Sequence, residues 1–166
     1  CLGFFGSLAD VALATSSAGD SDRRLLAGFL AEVVAVGTAA GARFIRLAEY
    51  NPPDLHPNIP IDKRLAVVNE MAKSWKDDDR KGPLRQIQKG IATEVDYTLG
   101  YVVREGERMN LPVPLCRRVL TMIHELETGK RQLGIENYSE LQAGGSTSYQ
   151  PIIIGFSPNH QSEEKS

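Results

Sequence analysis

Of the groups in this chain that could orient a substrate or move a proton, Glu94 stands in the most informative string, Thr93-Glu94-Val95-Asp96-Tyr97. The string lies within residues 83 to 110. There Leu84, Ile87, Ile91, Val95, Leu99, Val102 and Val103 recur at three- and four-residue steps, the spacing of one stripe on a helix. On such a helix Glu94 lies about 100° around the axis from Val95, on the flank shared with Ile87, Ile91 and Thr98. Its carboxylate then borders the buried stripe and can face a cleft. The alternative is a solvated Glu94 paired with Lys89 or Arg104 across helical turns, and spacing leaves both readings open.

The other chemistry-bearing residues read as structural or solvated. His56 sits between prolines in a loop, and His124 falls at the rim of an apolar helical face. Asp77, Asp78 and Asp79 are consecutive carboxylates whose side chains diverge, whereas oxygen cages for divalent ions space their ligands. This run reads as a solvated connector. Cys1 and Cys116 are far apart, with no CxxC and no paired histidine spacing, so neither a zinc site nor a disulfide framework is signalled. No metal is expected, and the cysteine usage suits a reducing cytoplasm.

The elements that must position Glu94 are helices. Residues 83 to 110 read as one long central helix, with Pro83 suited to its first turn and Asn110, Pro112 and Pro114 ending it. Gly90, Gly100 and Gly106 inside it imply close approach of other backbones. Residues 2 to 15 show helical spacing. Residues 20 to 40 make a surface helix capped by Asp20 or Ser21 and closed by Gly41. Residues 42 to 60, broken by Asn51-Pro52-Pro53, Pro57 and Pro60, form a loop. Asp62 caps a helix from Lys63 to Trp75, with Trp75 packed in the core. A further helix runs from Pro114 to Thr128 and is closed by Gly129. Residues 132 to 166 lose amphipathic order, with a flexible stretch at Gly144-Gly145-Ser146-Thr147-Ser148. The apolar run from Pro151 to Phe156 needs cover, either on the body or on a second copy of the chain. The expected organisation is all-α, with about five main helices, a helical domain over 1–142 and a tail over 143–166.

Composition narrows the function classes. With 166 residues, 24% charged and 42% apolar, the chain can build one globular core. A net charge of −2 with no isolated basic cluster makes nucleic acid an unsuitable partner. Leu2 to Ala18 imitates a secretory signal but lacks a basic start, carries Asp10 and is too short to span a bilayer, so no membrane partner is expected. The chain does not begin with methionine and is expected to start inside a longer protein.

The run from Ala92 to Gly106, ATEVDYTLGYVVREG, followed by Leu111-Pro112-Val113-Pro114, resembles the C-terminal domain of ketopantoate reductase (2-dehydropantoate 2-reductase). That family carries a Thr-Glu-hydrophobic-Asp pattern, two later glycines and a hydrophobic-Pro-x-Pro on its long helix. The resemblance covers residues 83 to 131, with a weaker extension over 21 to 41. It implies a multi-helix domain of the 6-phosphogluconate dehydrogenase C-terminal-like type that binds a small 2-keto acid and forms a homodimer. Reduction by NADPH, in pantothenate biosynthesis, is the implied activity. Glu94 takes the place of the family's substrate-orienting glutamate. The family's substrate-contacting serine falls at Gly82 by counting back from Glu94, and Ser74 takes that role only if the connector is an insertion. The family's catalytic lysine and asparagines on the first helix have no match here, since no lysine precedes Lys63 and no asparagine precedes Asn51; either they lie upstream of Cys1 or this relative does not use them. No GxGxxG follows a strand-like run, so the Rossmann domain and its NADPH site are expected to lie outside this chain. The fragment alone is then expected to be inactive. The competing expectation is a non-catalytic helical dimerisation or interaction module that kept the fold.

Overall fold

A computed structural model describes residues 1–9, 19–47, 50–75 and 82–145. The helices are α1 (Leu2–Gly6), α2 (Asp20–Ala39), α3 (Ile61–Ala72), α4 (Gly82–Gln88), α5 (Leu99–Arg108), α6 (Pro114–Glu127) and α7 (Glu136–Gly145). Two 3-10 turns, Pro52–Leu55 and Val95–Tyr97, complete the described elements, and no strand occurs among the described residues. The domain is all-α, with five helices of ten residues or more among the described residues. The Asp77 to Asp79 connector and the apolar run Pro151 to Phe156 lie outside the described residues.

The hub is α2. It packs against α3, α5, α6, α7 and the first 3-10 turn, and it buries Leu25, Leu26, Phe29, Leu30, Val34 and Val36. Phe29 meets the ring of Phe5 at 5.4 Å between centroids, and Phe5 meets Tyr138 at 5.1 Å, which ties α1, α2 and α7 into one aromatic cluster. Gly106 of α5 is the tightest crossing. A Cβ there would lie 2.7 Å from Val113 Cγ1 and 3.3 Å from Val36 Cγ2, so the side chains of α2 and of the approach to α6 already fill that space.

The long central helix expected over 83 to 110 is two helices. After α4 the chain turns at Gly90, whose φ is +66°. The Gly90 N–H donates to the Ile87 carbonyl and the Ile91 N–H to the Gln86 carbonyl, both at 2.9 Å. This pair of bonds is the Schellman closure of a helix end. The residues that follow include the β-branched Ile91, Thr93, Val95 and Thr98, which form helix less readily than unbranched residues. Helix resumes only at Leu99. Val95 and Leu99 remain fully buried, but Ile91, placed on the buried stripe by its spacing, is 53% exposed.

Three further expectations change. Among the described residues, the 2 to 15 helix is helical over Leu2–Gly6 and turns at Ser7 and Leu8; residues 10 to 18 lie outside the described residues. α2 and α3 begin at Gly19 and Pro60 with no side-chain cap, and Asp20, Asp22 and Asp62 act instead as first-turn acids favoured by the helix dipole. Residues 136 to 145, read as lacking amphipathic order, form α7. It holds through Tyr138 and Leu141, both buried, and through Asn137, whose amide donates to the Leu8 carbonyl at 2.6 Å. The Tyr138 hydroxyl donates to the Phe5 carbonyl at 2.7 Å.

Candidate functional site around Glu94

Glu94 occupies the gap between α4 and α5, at the N-cap of the 3-10 turn Val95–Tyr97, and not the interior of a helix. Its backbone is fixed from both sides. The Glu94 carbonyl accepts the Tyr97 N–H at 3.1 Å and the Thr98 hydroxyl at 3.1 Å. The Val95 N–H donates to Thr93 Oγ1 at 3.2 Å, and Val95 itself is 1% exposed in the core. With its successor anchored inward, Glu94 faces out and is exposed. Neither Lys89 nor Arg104 pairs with it. The Arg104 guanidinium reaches back over Gly100 to donate to the Asp96 carbonyl at 3.2 Å. Among the described residues the Glu94 carboxylate has no hydrogen-bond or ion-pair partner.

The string is docked on α6. The Thr93 N–H donates to the Glu127 carboxylate at 2.6 Å, and Asp96 Oδ1 lies 3.0 Å from His124 Nε2. His124 and Glu127 are three residues apart on α6 and so share one face of it. His124 is therefore a rim residue, as its place beside the apolar face implies, but with a specific carboxylate partner.

Ser74 lies elsewhere. It is an exposed residue just past the end of α3, its hydroxyl donating to the Met71 carbonyl at 2.8 Å. α3 packs on α2 and the first 3-10 turn, whereas the Glu94 string packs on α5 and α6. Trp75 is partly buried against the core, and His56 Nδ1 accepts the Asn58 N–H at 3.3 Å within its loop. Burial, reinforced by Arg64, lowers the His56 pKa.

A buried carboxylate outside the string is the residue that sequence reasoning missed. Glu32 of α2 is 1% exposed and accepts the Leu115 N–H at 3.1 Å and the Cys116 N–H at 2.8 Å. It thereby caps α6, whose own N-cap residue Val113 offers no side-chain acceptor. Burial pushes the Glu32 carboxyl up from 4.5 to about 7, against the pull of the two N–H bonds. Burial beside this carboxylate also pushes the Cys116 thiol far up, so Cys116 is an inert core residue. The signal lay in the sequence: Glu32 stands three residues after Phe29 and four before Val36, on the apolar stripe itself.

At five of the described helix starts a dinucleotide phosphate would meet negative charge. Such a group needs free N–H donors at a helix start, without competing negative charge. Yet α2, α3 and α7 carry Asp or Glu in their first turns, and the start of α6 is taken by Glu32. At α5 the Asp96 carboxylate lies beside Gly100. Among the described residues no group of three or more His, Cys, Asp or Glu is placed to hold a metal ion, and no helix is long and apolar enough to cross a membrane.

No curated protein and no solved structure matches the chain. One family model does match, Ketopantoate reductase PanE/ApbA C terminal, over residues 7–127. The match runs from the end of α1 through the helix that clasps the Thr93 to Asp96 string. The chain belongs to the ketopantoate reductase C-terminal domain family.

Proposed function

We propose that this chain is the substrate domain of an NADPH-dependent oxidoreductase that reduces a small 2-keto acid, with Glu94 as the residue that orients the substrate's polar groups. The observation that carries the reading is the Glu94 carboxylate, held outward on a braced backbone and left without a partner among the described residues. A surface side chain kept free on a rigid support is suited to an incoming hydrogen-bonding group. Ile91, Tyr97 and Tyr101 flank Glu94 in the chain, and each is at least half exposed, which leaves large apolar side chains for a second domain to cover. The acidic helix starts agree with a cofactor bound by a nucleotide-binding unit outside these 166 residues. That unit would supply the NADPH hydride; this chain would supply orientation and shelter from water. Under this reading Ser74 belongs to the substrate site only if closure or a partner brings it to Glu94, since it sits on a different group of helices.

Two measurements test the proposal. The whole protein that contains this chain should consume NADPH with a 2-keto acid, and Glu94→Gln should lower its turnover by roughly 100-fold or more. The chain alone should give a flat calorimetric titration with NADPH. No reduction of any 2-keto acid by the whole protein would favour the non-catalytic interaction module.

A further inference from the structure

The string that bears Glu94 is not α-helical: Glu94 is the N-cap of a single 3-10 turn, so no α-helical ladder fixes the direction of its side chain. What fixes it from outside the string is α6. Glu127 accepts the N–H of the residue before Glu94, at 2.6 Å, and His124 meets the carboxylate two residues after it, at 3.0 Å. These two side chains share one helical face, three residues apart, and hold two sites of the string that are likewise three residues apart. The core supplies the remaining constraint through buried Val95. Anchors on Thr93, Val95 and Asp96 hold both sides of Glu94, whose carboxylate projects outward between them.

We infer that Glu127 and His124 are positioning residues for Glu94: α6 acts as a rigid jig that sets the direction of the substrate-orienting carboxylate without touching substrate itself. The inference rests on the substrate-orienting reading of Glu94, but its geometric half stands on this chain alone. Glu127 has the larger part. A hydrogen bond between a carboxylate and a backbone N–H is charge-assisted and short, and Thr93 has no helical carbonyl to replace it. His124 acts on the other side through Asp96, whose own carbonyl is held by Arg104.

The experiment has two arms. In the isolated chain, amide exchange at Thr93 should accelerate about tenfold or more in Glu127→Ala, the change expected when a bond of about 1.4 kcal/mol is lost. Glu127→Gln, which keeps an oxygen to accept the N–H, should restore most of the protection. His124→Ala should perturb the Asp96 and Val95 resonances while leaving α2 unchanged. In the whole reductase, Glu127→Ala should lower kcat by roughly 10- to 100-fold, the scale of a misplaced catalytic group. Glu127→Gln should recover most of that loss. The double variant Glu94→Gln/Glu127→Ala should be no slower than Glu94→Gln alone, because a residue that acts through Glu94 has nothing left to act on. Unchanged Thr93 exchange in Glu127→Ala, or losses that multiply in the double variant, would overturn the inference. A whole protein with no reductase activity would remove the functional reading, and the exchange arm would still decide whether α6 sets the direction of Glu94.

Discussion

Residues 20 to 41 and residues 83 to 110 carry the same sequence pattern, an apolar stripe at helical spacing interrupted by glycines, and fold differently. The first is one continuous helix; the second is two helices with a structured gap. In α2 the interior glycines are helical and closely packed, with neighbours in the space of a Cβ: Leu115 Cδ1 would lie 3.0 Å from one on Gly28, and Phe44 Cζ 2.8 Å from one on Gly37. At Gly90 nothing lies within 4 Å of that position, and the backbone is left-handed. Glycine inside an apolar rhythm therefore has two meanings, close packing or reversal. What separates them is the stretch that follows: Phe29-Leu30-Ala31-Glu32 continues a helix, whereas Ile91, Thr93, Val95 and Thr98 weaken one. In this molecule the continuous region builds the core and the broken region bears the candidate site.

The largest stability effect should come from the continuous region. Glu32→Ala removes the acceptor of two N–H groups at the buried start of α6 and should cost about 3 kcal/mol, measured by urea denaturation. A loss below about 0.5 kcal/mol would mean that α6 does not depend on α2 for its cap.

Next comes pH. The Glu32 carboxyl is raised from 4.5 to about 7 by burial, so its protonated form is favoured in the folded state. The contribution is fully present below about 4.5 and is lost as pH rises through about 7. The loss should be on the order of 3 kcal/mol, and absent in Glu32→Gln. Denaturation midpoints across this window would check it, and a stability that rises there in step with Glu32 would reverse the assignment.

Gly106→Ala should follow. The added methyl meets Val113 and Val36, and overpacking should outweigh the helix-propensity gain by about 1–2 kcal/mol. Gly90→Ala sharpens the comparison by sign. In the left-handed turn it should destabilise by about 1 kcal/mol, whereas in a continuous helix it would stabilise by a similar amount.

How much of this was legible follows from what kind of contact fixes each part. α2 and α6 were readable because their stripes and closing glycines, Gly41 and Gly129, are local signals. α7 was not, because its place depends on Asn137 and Tyr138 bonding to carbonyls of Leu8 and Phe5 at the far end of the chain. Residue type and family likeness singled out the Thr93 to Asp96 string. Its geometry was hidden, because Val95 and Leu99 keep the apolar rhythm across a gap that is not helix, and because the clasp comes from His124 and Glu127 on another element. Glu32 was legible in principle, as an acid on an apolar stripe facing a helix whose N-cap, Val113, cannot cap itself.

The central claim is that Glu94 stands in a gap between two helices. Backbone chemical shifts of the chain in solution test it most directly. Cα shifts should be helical over Gly82–Gln88 and Leu99–Arg108, with Gly90 left-handed and no helical signature from Ile91 through Glu94. An unbroken helical run from Gly82 through Arg108 would contradict the account.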